Sequence, residues 1–442
     1  MIKKTILATA VSTVILASGM VSADKYENDK HENNKFGRDH SFNFKELDSS
    51  ADAADWVAAA PWKLPKGYTQ RTVSDETDLN IYDGGRDDWP DMNTVNETGP
   101  MAGRYLYRTH ELRFPANQPV GGALSVVDLK TGVTTLLAND AAWDAVDGIR
   151  WTAWGTLLFA EETTGGRLLE VELNDDLTSV AAITERGAVG HMAHEGIDLD
   201  KAGNVYVVDE HRGQTVGCDI GTPCGGGVYK FVPDSYGDLS SGSLYALKVT
   251  GIDGTGHGEW VGPIDPDNVR ESGAAAGATS YQRPEDLEVI GDKLFVAVTE
   301  GPVALGFGKE VYDSRVLAVD LQTMEVANFV KPGLNVPVEI GSPGNAGYET
   351  GFDNVDNLAE APNGDLVMVE DNVPSDIWFA SSKTNDFGAS VKVKHFASLT
   401  DSGAEGTGIY FSPLDPKTLY VNVQHSIADD GDATWAITKQ GE

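Results

Sequence analysis

The chain has 442 residues, with 68 acidic against 33 basic side chains and a formal net charge of −35. Such a field repels nucleic acid and anionic membranes, and repels an anionic substrate unless cations sit locally at its site. With 49 glycines and many short apolar runs, the composition favours an all-β fold over helices.

The first residues read as a signal peptide over 1–23. Lys3 and Lys4 form a charged start, Thr5 to Met20 an apolar stretch, and Val21-Ser22-Ala23 a small-residue cleavage site. An uncleaved anchor is the alternative, and no later segment is apolar enough to span a bilayer. Without a twin arginine, the general secretion route is expected, giving a periplasmic or extracellular protein. Residues 24–60 are expected to be a disordered leader, since Asp24 to about Phe44 is charged and aperiodic. Residues 61–442 then form one domain.

That domain is organised by internal repetition. His194-Glu195-Gly196-Ile197, the turn Asp200-Lys201-Ala202-Gly203-Asn204 and the run Val205 to Glu210 read as acid, strand, turn, strand, acid. The arrangement recurs from Glu285 to Glu300, from Asp356 to Asp371, and in compressed form from Asp147 to Glu162. In each copy the closing acid lies fifteen positions after the opening one. Further strands follow at Leu168–Leu173, Gly227–Val232, Arg315–Leu321 and Asp376–Ala380. Two irregular copies run from Arg104 to Glu111 and from Glu405 to Gln424. Six units of four-stranded type predict a six-bladed β-propeller, with Lys63 to Thr72 lending a strand to the last blade. A Gly- and Ala-rich loop insertion is expected near 251–279. Cys218 and Cys224 predict a local disulfide, a two-cysteine metal site being the alternative.

Within a propeller blade, the residue before the first strand and the residue after the second lie on one face near the axis. The acid pairs therefore converge on one opening, joined by Glu405 and Glu111. Carboxylates so crowded resist ionisation, and hard cations with oxygen ligands relieve this; calcium takes about six to eight. Solvated strand-end acids are the plain alternative, which leaves their fixed register unexplained. His191 and His194 invite a zinc assignment, but packing at a turn is expected. No nucleophile elbow, zinc helix or phosphate-cradling glycine loop is present.

Several motifs, taken in order, resemble the PhoX family of exported alkaline phosphatases. They are Trp151 to Leu158 running into Glu161-Glu162, then His194-Glu195, Arg283-Pro284-Glu285-Asp286, Asp353 to Asn357, Glu370-Asp371, Phe411-Ser412-Pro413 and Gln424-His425. The resemblance covers about Gly103 to Ile427. It implies a six-bladed propeller that hydrolyses phosphomonoesters with an iron and calcium cluster at its mouth. It also implies metal ligands at Glu161, Glu195, Glu210, Glu285, Asp356 and Asp371, with Glu162, Glu300 and Glu405 as further candidates, and a phosphate-contacting Arg283. A guanidinium beside cations can grip phosphoryl oxygens, or else serve neighbouring carboxylates.

This sequence departs from the family at Ala160, where a cysteine ligand is usual, and in lacking the twin-arginine signal. Both departures favour several Ca2+ ions over Fe3+. The expected chemistry is attack of a metal-bound hydroxide or oxo group on a small phosphorylated substrate, by a monomer. A calcium-dependent lactonase-like propeller hydrolase, with one central cation, and a non-catalytic calcium-stabilised binding protein are the alternatives.

Overall fold

The structure is a computed structural model, and it describes residues 42, 44–79, 88–112, 121–212, 225–251, 253–299, 314–338 and 351–440. The expected signal peptide, Cys218, Cys224 and Glu300 lie outside them.

Short apolar runs punctuated by Gly, Asp and Asn turns give almost wholly β structure. The chain opens with β1 (Trp62–Lys63) and β2 (Tyr68–Asp75). A first four-stranded antiparallel sheet holds β3 (Pro90–Val95), β4 (Tyr105–His110), β5 (Ala123–Asp128) and β6 (Val133–Asn139). A second holds β7 (Val146–Trp151), β8 (Leu157–Glu161), β9 (Leu168–Leu173) and β10 (Val180–Glu185). Next come β11 (His194–Leu199), β12 (Val205–Asp209), β13 (Val228–Ser235), β14 (Asp238–Val249), β15 (Gly256–Ile264) and the helix α1 (Val269–Ala276). They are followed by β16 (Pro284–Ile290), β17 (Lys293–Val298), β18 (Arg315–Asp320) and β19 (Glu325–Val330). Then β20 (Val355–Glu360), β21 (Leu366–Glu370), β22 (Asp376–Ala380) and β23 (Val393–Leu399) form a sheet whose outer strand is β1. Finally β24 (Glu405–Phe411), β25 (Thr418–Gln424) and β26 (Ala433–Lys439) take β2 as their outer strand, paired from Tyr68↔Lys439 to Asp75↔Ala433.

The all-β, propeller-like arrangement agrees with the sequence, but four details differ. Hydrogen bonding gives five sheets among the described residues, not six separate blades. The third and fourth repeats merge into one nine-stranded sheet because β15 lies along β14 and also bridges β19 at Gly256↔Val326 and His257↔Glu325. That bridging strand and α1 occupy the segment expected to be a loop; its glycines masked a strand pattern. The first repeat begins at Pro90, with β3 as its inner strand, rather than at Arg104. Lastly, the expected disordered leader is anchored at two of its described residues: Phe42 and Phe44 are buried against Tyr68, Phe379, Phe396 and Phe411. Two aromatic rings supply enough apolar area to tie down an otherwise polar segment.

The inner strands β3, β7, β11, β16, β20 and β24 pack side by side in a closed ring, and apolar clusters fill the wedges between neighbouring repeats. Polar side chains staple the inner strands to one another. Thr94 Oγ1 accepts from Trp151 N (3.2 Å), Asp198 Oδ2 from Val289 N (2.6 Å), Asp286 Oδ2 from Leu358 N (2.8 Å), and Asn357 Oδ1 from Gly408 N (2.6 Å). Asn93 Nδ2 donates to Gly408 O at 2.6 Å, joining the sixth repeat to the first. Glycine permits the approach where strands come closest: a Cβ on Gly196 would stand 2.1 Å from Asp286 Oδ1.

Asp286 is buried and also accepts from Leu287 N, so replacing it orphans two backbone N–H groups. Asp286→Ala is expected to lower the unfolding free energy by about 1–3 kcal/mol per orphaned donor in urea titration. An unchanged midpoint would show that these staples do not hold the ring.

Candidate metal centre

Each inner strand from the first to the fifth repeat presents an acid as its second residue: Asp91, Asp147, Glu195, Glu285 and Asp356. Glu405 opens β24. Pairing of each strand with its neighbour is interrupted just after the acid, between Pro90 and Asn93, Val146 and Ile149, His194 and Ile197, Pro284 and Leu287, and Val355 and Leu358. Bulges of this kind re-aim side chains. Here the acid turns to the ring's mouth, while the next residue (Asp286, Asn357) staples the neighbouring strand.

A repeated backbone bond ties each closing acid to the residue two before the opening one. Glu111 N donates to Trp89 O (3.0 Å), Glu162 N to Ala145 O (2.8 Å), Glu210 N to Ala193 O (2.8 Å) and Asp371 N to Asn354 O (2.8 Å). In the fourth repeat Thr299 N takes this place on Arg283 O, at 2.9 Å. Trp89, Ala145, Arg283 and Asn354 all have positive φ, between 36° and 48°, a strained region for residues with a Cβ.

The result is a cavity of about 290 Å³ lined by Asp91, Glu111, Asp147, Glu162, Glu195, Glu285, Asp356, Asp371 and Glu405, with Arg283, Trp89, Thr407 and His425. Asp147, Glu162 and Glu195 can each place an oxygen within 4.8 Å of the others', and so can Glu195, Glu285 and Asp356. Glu195 thus belongs to two adjoining triads. Burial, followed by the charge of neighbouring acids, drives the carboxyls of Asp147, Glu195, Asp356 and Glu405 well above their usual range. Glu285 is raised too, chiefly by burial, although Arg283 opposes it. Asp147 Oδ1 is buried without a hydrogen-bond partner. An orphaned oxygen among crowded acids fits a bound cation, and carboxylate oxygens suit hard divalent ions.

One layer further along the same strands the balance is different. Arg150 bridges Asp198 (2.8 Å) and Glu288 (3.2 Å), so that layer carries its own counter-charge.

The structure brings together Glu162, Glu195, Glu285, Asp356, Asp371 and Glu405 as expected. Glu161 does not join them: Arg167 grips both its oxygens, at 2.6 and 2.7 Å, since strand alternation turns it away from Glu162. Glu210 stands behind Arg283 (2.5 Å) rather than lining the cavity. Ala160 is buried in an apolar cluster with Leu158, Leu168 and Met192, away from the cavity. Asp91 is a lining acid that the repeat pattern missed, although Pro90-Asp91 echoes Pro284-Glu285. His194 packs against Gly190 O (2.9 Å), and burial lowers its pKa to about 4. His191 meets Glu185 and Asp267 at the surface.

Fold and site together define a propeller-like protein with a carboxylate-lined cavity at the mouth of its ring, whose acids could hold cations. The profile of the alkaline phosphatase PhoX family matches residues 166–426, and the chain belongs to that family of metal-dependent phosphomonoesterases. PhoX of Pseudomonas fluorescens, solved with vanadate as a transition state analogue, has the same fold: TM-score 0.60 and 16% identity, over 90% of this chain and 98% of that one. A glucose dehydrogenase gives 0.48 at 11% identity, over 85% of this chain and 100% of that one. The PQQ-bound aldose sugar dehydrogenase of Streptomyces coelicolor gives 0.45 at 14% identity, over 85% and 99%. No curated protein matches in sequence. Among the described residues no helix is long and apolar enough to cross a membrane.

Because burial and neighbouring acids raise these carboxyl pKa values in the metal-free mouth, the folded protein binds more protons there than the unfolded chain above the ordinary carboxylate range. Stability then falls as pH rises through the raised pKa values. Chelated protein is expected to melt at progressively lower temperature as pH rises above the ordinary carboxylate range, with calcium restoring most stability at the alkaline end. A pH-independent melting temperature that ignores calcium would remove the cation site.

Proposed function

We propose that the chain is an exported phosphomonoesterase whose ring is built of six blades, the nine-stranded sheet being two blades joined at their outer edges by β15. On this reading residues 61–442 act as one monomeric propeller behind a cleaved leader. The proposed ligands are Asp147, Glu162, Glu195, Glu285 and Asp356, with Asp91, Glu111, Asp371 and Glu405 as outer members. The observation that carries this is the pair of acid triads sharing Glu195. Two adjoining positions suit a multi-metal site better than the single cation of a lactonase-like propeller. An all-oxygen lining favours Ca2+; Fe3+ remains the second candidate, with no thiolate at position 160 to select it.

Bound cations would supply Lewis acidity toward phosphoryl oxygens and lower the pKa of water. The chain's own groups do the rest. Glu195 fixes the spacing of the two positions. Arg283 is held by Glu210 (2.5 Å) and Glu285 (2.8 Å) through Nε, which orients the guanidinium toward the cavity it lines. Burial disfavours its charge, but Glu285 and Glu210 outweigh this and keep it cationic, ready to pair with equatorial phosphoryl oxygens. The overall negative field would otherwise exclude a phosphate ester, so the site must supply the positive charge itself.

The test is phosphate release from a chromogenic phosphomonoester at alkaline pH, with and without calcium. Arg283→Ala is expected to lose about a hundredfold in kcat/KM, and Glu195→Gln to lose bound metal together with turnover. Metal-independent hydrolysis, or full activity in either variant, would refute this assignment.

A further inference from the structure

A second set of buried acids lies outside the mouth, where β21 ends and β22 begins. Val369 pairs with Ile377, so Glu370 and Asp376 stand opposite one another on adjacent strands, side chains on the same face. Both are buried, at 0% and 1% exposure. Each carboxylate uses one oxygen and leaves the other idle. Glu370 Oε1 accepts from Asp353 N (3.0 Å), while Oε2 makes no well-formed hydrogen bond, the Trp378 side chain being the one other donor that neighbours this carboxyl among the described residues. Asp376 Oδ2 accepts from Ser50 Oγ (2.5 Å) and lies 3.2 Å from His395 Nε2, while Oδ1 has no partner. Between them in sequence, Asn372 donates through Nδ2 to Asp353 O (3.4 Å), and its Oδ1 is likewise buried and unpartnered.

Three orphaned oxygens within seven residues are unusual, because buried acceptors almost always find a donor. Two facing carboxylates out of water also repel each other. An ion of charge two removes both difficulties at once, and carboxylate and amide oxygens are the donors that calcium prefers.

We propose that Glu370 Oε2, Asp376 Oδ1 and Asn372 Oδ1 hold a buried structural calcium ion, distinct from the ions at the ring's mouth. The ion would pin the loop that carries Asp371 to the start of β22. Ser50 would tie the N-terminal segment to the same point.

The test compares full-length protein with the variant Glu370→Gln/Asp376→Asn, which keeps shape and removes both charges, so that the metal-free variant should fold at least as well. Equilibrated with calcium and freed of excess, the variant is expected to carry one calcium fewer per chain. Crystals of the unmodified protein should show calcium anomalous density between Glu370 and Asp376. An equal calcium content, or density at Glu195 with none beside Glu370, overturns the proposal and leaves the pair sharing a proton. Because the signal is read at its own position, this result stands apart from whether the mouth hydrolyses phosphate esters.

Discussion

Negative side chains brought together out of water are the constraint around which this molecule is arranged. Asp147, Glu195, Glu285 and Asp356 would separate if the chain were free to let them. They are held because each sits on a bulged inner strand whose neighbour is stapled to it, by Asp198 on Val289, Asp286 on Leu358 and Asn357 on Gly408. The strained backbone at Trp89, Ala145, Arg283 and Asn354 belongs to the same device, repeated four times around the ring. Strain and repulsion of this kind persist only where surrounding structure over-determines them. Without a cation, the raised pKa values let protons relieve that repulsion instead.

Contrast within the ring strengthens the point. The layer containing Asp198 and Glu288 is neutralised from inside by Arg150. Among the described lining side chains Arg283 is the only arginine or lysine, and Glu210 and Glu285 already engage it. One layer is thus balanced by a side chain of its own, and the other is the layer proposed to take ions from solution.

Much of the mouth could be read from the sequence, because a fixed fifteen-residue interval between acids has no structural use unless both ends meet. Glu162, Glu195, Asp356 and Asp371 followed from it. Asp91 did not, since it lies twenty positions before Glu111 rather than fifteen, outside the fixed interval. Glu161 was indistinguishable from Glu162 until the strand's alternation put it on Arg167. Phe42 and Phe44 were hidden in a charged segment, where only their packing partners in distant strands reveal a role. The bulges that aim the acids also left no sequence signal, because register shifts are set by pairing with a neighbouring strand. Which cation binds is illegible for a related reason: Ala160 faces an apolar cluster, and the lining carboxylates alone set a preference for hard ions.

The pairing of β2 with β26 joins strands more than 350 residues apart in sequence. The hydrogen-bonding edge of β2 has no partner until Ala433–Lys439 has been made, so circular closure cannot precede synthesis of β26. A clasp of this sort makes maturation all-or-nothing. It also defers assembly of the charged mouth until β2 and β26 meet.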